Sequence, residues 1–201
     1  MKSLDADQLR QVLDAAEQLF AKEDLKDITL PKLAKASGVA AFDILRHFQS
    51  SDNILKAVLE RELEMMAAAA QAPELRMPGE TFADELHVMA GVILDQYRRR
   101  LAFMTKLLQE TMNDPKVGAL FYSTFIVQGR MLFTEFLQVR KDVGELRDDI
   151  DIEVAAAIFL AALTGTFVTY EIYGGRHVEV MDDERLLKHM CDTFLHGVVK
   201  R

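Results

Sequence analysis

A single cysteine, Cys191, stands in the 201-residue chain, so no internal disulfide can form and a reducing compartment is expected. Only four prolines and ten glycines are present, and no low-complexity tract suggests a long disordered arm. Period-2 alternation is scarce and hairpin dipeptides such as Asn-Gly or Asp-Gly are missing, which argues against a sheet-based fold. The opening residues, MKSLDADQLRQ, lack the apolar core of a signal peptide. Gly-x-Ser-x-Gly, His-Glu-x-x-His, P-loop and Cys-x-x-Cys patterns are all missing too, so no enzyme activity and no cofactor is expected.

What is present is apolar and charged in the proportions of a folded soluble protein: 50% hydrophobic and 28% charged residues. The net charge of −8 excludes a generally basic nucleic-acid coat. Its distribution is uneven. Residues 26–56 hold Lys26, Lys32, Lys35, Arg46 and Lys56 against Asp27, Asp43 and Asp52, a small positive island on an acidic chain. Residues 154–170, VAAAIFLAALTGTFVTY, carry no charge, yet they are short for a bilayer and diluted by alanine, threonine and glycine. A helix buried all round in a protein bundle accounts for them better, and no membrane association is expected. Cytoplasmic localisation follows from these features.

Helical periodicity runs through nearly the whole chain. Leu9, Val12, Leu13, Ala16 and Phe20 mark an amphipathic helix over 6–22. Thr29 is placed to cap a short second helix, with Pro31 in its first turn and Gly38 at its end. A third helix at about 40–47 has Val39, Ile44 and Phe48 as inward anchors, and Ser50 or Ser51 caps a fourth, leucine-rich helix. Pro73, Pro78 and Gly79 make the clearest break. Further helices are expected at about 80–99, 101–113, 116–140, 151–173 and 182–199.

Two short helices joined by a glycine turn, the second exposed, form the helix-turn-helix pattern. Over residues 12–60 the chain resembles the TetR family of transcriptional regulators. The match runs through Leu19–Phe20, Thr29, Leu33–Ala34, the turn Ala36, Gly38 and Val39, the pair His47–Phe48, Ser50 and Ile54–Leu55, without a gap. The resemblance implies an all-α fold with a three-helix head, residues 1–50, on a larger helical domain, residues 51–201, that binds a ligand and dimerises. It implies a double-stranded DNA operator as partner and a homodimer through residues 151–173 and 182–199, where small residues from Ala155 to Gly165 permit close helix contact.

The expected DNA-binding residues are Thr29, Lys32 and Lys35 before the turn, and Ala40, Ala41, Phe42, Asp43, Arg46 and His47 on the recognition helix. Four positions depart from the family pattern. Ala40 replaces a capping hydroxyl, Phe42 a glycine, Leu45 an aromatic hydroxyl, and Ser51 a lysine. Arg46 is the strongest candidate for phosphate or guanine, and Asp43 is able to accept from cytosine N4.

On the body, Met89, Phe103, Met104, Phe121, Phe125, Phe159 and Phe167 suggest a pocket that repacks around a small apolar effector. Gln96, Thr111, Gln128, Thr166 and Tyr170 would supply its polar contacts. His189, Asp192 and His196 lie near one helical face, but a metal site is not assigned to them. The cations of YRRR, 97–100, are expected to complement the carbonyls at a helix end. Two functions fit: a ligand-responsive, homodimeric transcriptional regulator, most often a repressor, or a ligand-binding or protein-interaction module of the same fold that has lost strong operator binding.

Overall fold

A computed structural model describes residues 4–70 and 81–199. The expected break at Pro73, Pro78 and Gly79 lies outside these residues. Among the described residues the only strand-like pairing is an isolated antiparallel bridge between Leu146 and Val199; the rest is helix, turn and loop, so the fold is all-α. By packing, the chain forms two compact units, Met1–Leu63 with Arg100–Ile126, and Glu64–Arg99 with Val127–Arg201.

In the first unit, α1 (Ala6–Phe20) begins at a capping box in which Asp5 and Gln8 satisfy each other's backbone N–H groups. Its apolar stripe puts Val12, Leu13, Ala16 and Phe20 in the core. The second helix, α2 (Leu30–Ser37), starts at Thr29, whose hydroxyl accepts from the Lys32 N–H, and stops at Gly38 in the left-handed region with φ 72°. Helix α3 (Ala41–Phe48) follows after three residues, Gly38, Val39 and Ala40. Val39, Ile44 and Phe48 are all buried as the spacing requires, each contributing roughly 1.5–3 kcal/mol of apolar burial.

The fourth helix, α4 (Ser51–Ala70), has Ser50 as its cap, since the Ser50 hydroxyl accepts from the Asn53 N–H. Asn53 also donates through its side-chain amide to the Phe48 carbonyl at 2.7 Å, so the start of α4 closes the open end of α3. Ile54, Leu55, Val58 and Leu59 bury the inner side of α4. Two more helices complete this unit: α6 (Leu101–Asn113), which packs against α1, and α7 (Pro115–Phe121).

In the second unit, α5 (Phe82–Arg99), α8 (Val127–Asp142), α9 (Ile152–Phe167) and α10 (Asp183–Val198) pack with α9 touching all three others. Phe159 is the centre of this core, stacked on Phe133 at 5.0 Å and tilted against Phe194 at 4.8 Å.

The structure corrects three expectations. Residues 116–140 are not one α-helix: a π-helical turn, Tyr122–Ile126, separates α7 from α8, and another, Val168–Ile172, follows α9. Such a turn keeps the same residue types while adding one residue per turn, so periodicity does not announce it. Residues 154–170 are not buried all round. Ile152–Ile172 is long and apolar enough to cross a membrane by length and composition alone. Ala155, Ala156, Phe159, Leu163 and Phe167 face the core, but Val154 and Ile158 are 52% and 61% exposed, with Ala161, Ala162 and Gly165 on the same open side. Finally, YRRR does close a helix, with Arg98 and Arg99 in the last turn of α5, but the hydrogen bonds of its cations go to carboxylates. Arg98 bonds Glu171 and Asp183, Arg99 bonds Asp95, and Arg100 pairs with Glu62, while Tyr97 is buried against Phe167.

Candidate nucleic-acid interface

The recognition helix α3 has two unlike sides. Ile44 and Phe48 fill the core, whereas Phe42, Leu45 and Gln49 point outward. Ala40 caps α3 with an extended backbone and no side-chain bond, so its first N–H groups rely on the Ala40 carbonyl and on whatever approaches from outside. Ala41 behind it is half-buried.

Two of the cations expected to meet DNA are already engaged. Lys32 bonds Glu23 at 2.7 Å, and Arg46 bonds Asp43 at 2.9 Å while its guanidinium lies 5.6 Å from the centroid of the Phe42 ring. These pairs are partly solvent-screened, worth little by themselves, and exchange readily for a phosphate. Lys35 is exposed at the end of α2, and His47 is half-buried with its ring edge against Phe48. Thr29 is exposed but uses its hydroxyl as the α2 cap. α3 thus presents an outer strip of one aromatic and one aliphatic side chain, with a restrained arginine beside it.

Behind this surface the first unit is tied by buried charge. Arg61 on α4 forks to Asp14 at 2.6 Å and Glu17 at 2.8 Å on α1, and Arg100, the residue that precedes α6, pairs with Glu62. Burial, reinforced by the neighbouring Glu17 carboxylate, raises the Glu62 pKa to about 7 against the pull of Arg100 and Arg61. Lys106 on α6 also pairs with Asp24 in the α1–α2 connection. Apart from Arg100, read from the sequence only as part of a helix end, none of this network is among the residues singled out from the sequence. The available signal was Glu62 itself, a carboxylate at a core position of the stripe Leu55, Val58, Leu59, Met66.

The same unit contains a cleft of about 1100 Å³ between its head helices and α6–α7, floored by Phe20, Leu33, Ile44 and Leu55 and walled by Val117 and Leu120. The residues expected to line an effector pocket divide between the units. Phe103, Met104, Phe121 and Phe125 are buried in the first, where Thr111 donates its hydroxyl to the Leu108 carbonyl of its own helix. Phe159 and Phe167 are buried in the second, Met89 and Gln96 half-buried, and Gln128 exposed. Thr166 donates to the Ala162 carbonyl, and Tyr170 hydrogen-bonds Glu179. Cys191 is buried, which pushes its thiol up to about 11 and away from thiolate chemistry. Among the described residues no group of His, Cys, Asp and Glu gathers to hold a metal ion.

A capped helix, a glycine turn and a protruding second helix define a helix-turn-helix DNA-binding protein. Residues 12–58 match the model for bacterial regulatory proteins of the tetR family, and residues 90–196 match that for the AefR-like transcriptional repressor, C-terminal domain. The chain belongs to the TetR family of transcriptional regulators. It is 20% identical over 189 residues to the uncharacterized HTH-type transcriptional regulator YvkB of Bacillus subtilis, covering 94% of this chain and 96% of that protein. Its fold is shared with the flavonoid-responsive regulator FrrA, with a TM-score of 0.73, 22% identity and coverage of 96% and 98%. The fatty acid degradation regulator FadR from Bacillus halodurans is similar at a TM-score of 0.74, with 17% identity and 98% of both chains covered.

Proposed function

We propose that the chain is a ligand-responsive repressor that binds a near-palindromic DNA operator as a homodimer in the cytoplasm, and that it is not an enzyme. The observation that carries this is the geometry of α2 and α3, joined by Gly38 and presenting Phe42, Leu45 and Arg46 outward from a well-filled core. Residues 1–50 form the DNA-binding domain and residues 51–201 the effector and dimer domain. Thr29, Lys32, Lys35, Ala40, Ala41, Phe42, Asp43, Arg46 and His47 make the DNA contacts. The repressor role is supported by the description of the model matched over residues 90–196.

Dimerisation through residues 151–173 and 182–199 is supported by the open apolar side of α9, which a second copy would cover. An apolar effector is supported by the phenylalanine and methionine side chains buried in both units, Phe103, Met104, Phe121 and Phe125 in one and Phe159 and Phe167 in the other, where Met89 is half-buried. Effector binding lowers operator affinity only if the effector prefers the conformation whose two heads no longer match the operator spacing.

A second reading has its own support. Lys32 and Arg46 are held by Glu23 and Asp43, and Ala40 and Ser51 offer less to phosphate than a hydroxyl cap and a lysine. A relative that kept the fold and lost strong operator binding would look like this. Selection of bound genomic fragments by the purified protein, at low and near-physiological salt, decides between them. Enrichment of one short palindrome at the higher salt supports the repressor; weak, unselective binding that vanishes with salt supports the second reading.

A further inference from the structure

Phosphate binding does not explain why α3 turns apolar groups outward. Phe42 is 70% and Leu45 50% exposed, three residues apart on one side of the helix, while Ile44 and Phe48 already supply the core anchors on the other. Phe42 adds little to the packing of the unit, and Leu45, at the rim of the cleft, is only half covered, so both leave apolar surface in water. The Arg46 guanidinium, 5.6 Å from the centroid of the Phe42 ring and 2.9 Å from Asp43, forms one edge of the strip. On the floor of the major groove the apolar group available to such a strip is the 5-methyl of thymine.

We propose that Phe42 and Leu45 read thymine methyl groups in each operator half-site and so set its sequence preference. This rests on α3 being the recognition helix of an operator-binding protein. Residues in the first turns of a recognition helix reach base edges, and Phe42 and Leu45 occupy that part of α3. Closing the ring of Phe42 or the isobutyl of Leu45 over a methyl removes water from both surfaces. Cytosine at the same place presents an amino donor that neither side chain can accept. The strip therefore prefers thymine without a hydrogen bond, and Arg46 alongside supplies charge without competing for the same atom.

The test uses duplexes enriched from a random-sequence pool by the full-length protein. Each thymine in turn is replaced by deoxyuridine, which deletes the methyl and keeps every hydrogen-bonding group. Wild-type protein is expected to bind about fourfold more weakly for each contacted methyl removed, at one or two positions per half-site. Phe42→Ala and Leu45→Ala are expected to bind the thymine and deoxyuridine duplexes alike at those positions, with melting temperature unchanged for Phe42→Ala and slightly lowered for Leu45→Ala, whose side chain is half covered. Equal binding of thymine and deoxyuridine duplexes by the wild type overturns methyl reading and leaves operator binding intact. Failure to enrich any sequence overturns both.

Discussion

The carboxylate of Glu62 on α4 is only 3% exposed and pairs with the guanidinium of Arg100 just before α6. Arg61 on α4 and Asp14 and Glu17 on α1 complete the cluster, so three helices of the first unit meet at one set of charges. Breaking such a cluster by removing one partner strands the others, which makes it a rigid joint while its charges balance.

That balance changes near neutrality. Glu62 has its pKa raised from 4.5 to about 7, so between these values the folded chain holds a proton that the unfolded chain releases. The stability that Glu62 contributes is fully present below the lower value and is lost as pH rises through about 7. Glu62→Gln is expected to remove this dependence. Urea midpoints measured from pH 4.5 to 8 should show the wild type losing roughly 3 kcal/mol relative to the variant across that window. Parallel curves would mean that Glu62 is charged throughout.

Arg46 is restrained by Asp43 and Phe42 at the outer edge of α3. Arg46→Ala is expected to weaken operator binding by about tenfold to a hundredfold. If Arg46 holds phosphate, the slope of log affinity against log salt should fall by about one; if it reads guanine, one operator position should lose its preference instead. Unchanged affinity at two salt concentrations would remove Arg46 from the interface. Asp43→Asn should act in the opposite direction on unselective binding, since it deletes a negative charge from the outer part of α3.

Much of the head was legible because capping and periodicity are local. Thr29, Gly38 and Ser50 sit where a sequence rule puts them, and Val39, Ile44 and Phe48 are buried as their spacing requires. Pairings distant in sequence were not legible. Arg61 finds Asp14 47 residues away, and Arg98 finds Glu171 and Asp183 at separations of 73 and 85 residues. Nothing in the run YRRR distinguishes an arginine that complements helix carbonyls from one that meets a buried carboxylate. The π-helical turns escaped for a related reason, since they change the number of residues per turn without changing residue types.

Ala40 adopts the extended backbone of an N-cap, φ −60° and ψ 135°, but offers no side-chain acceptor to the first turn of α3. Ala40→Ser restores one. It is expected to raise stability by about 1 kcal/mol in chemical denaturation, and to tighten operator binding modestly if the hydroxyl also reaches phosphate. Stability raised with affinity unchanged would show that the cap serves only the helix. No gain in stability would mean that the first turn of α3 is already satisfied by solvent.

The open side of α9 yields the last prediction. Val154 and Ile158 are exposed one helical turn apart, and Ala161, Ala162 and Gly165 continue the same side with side chains small enough for a second helix to approach closely. In a single chain this surface lies against water; in a two-fold pair it would meet its own copy, residue for residue. Ile158→Asp places a charge at the centre of that contact, where desolvating it costs several kcal/mol. The wild type should sediment as a dimer at micromolar concentration and the variant as a monomer with its helical content intact. Selective operator binding should fall with dimerisation, because one head alone contacts half a site and loses the second half's share of the free energy. A variant that remains a dimer would place the interface elsewhere on the second unit.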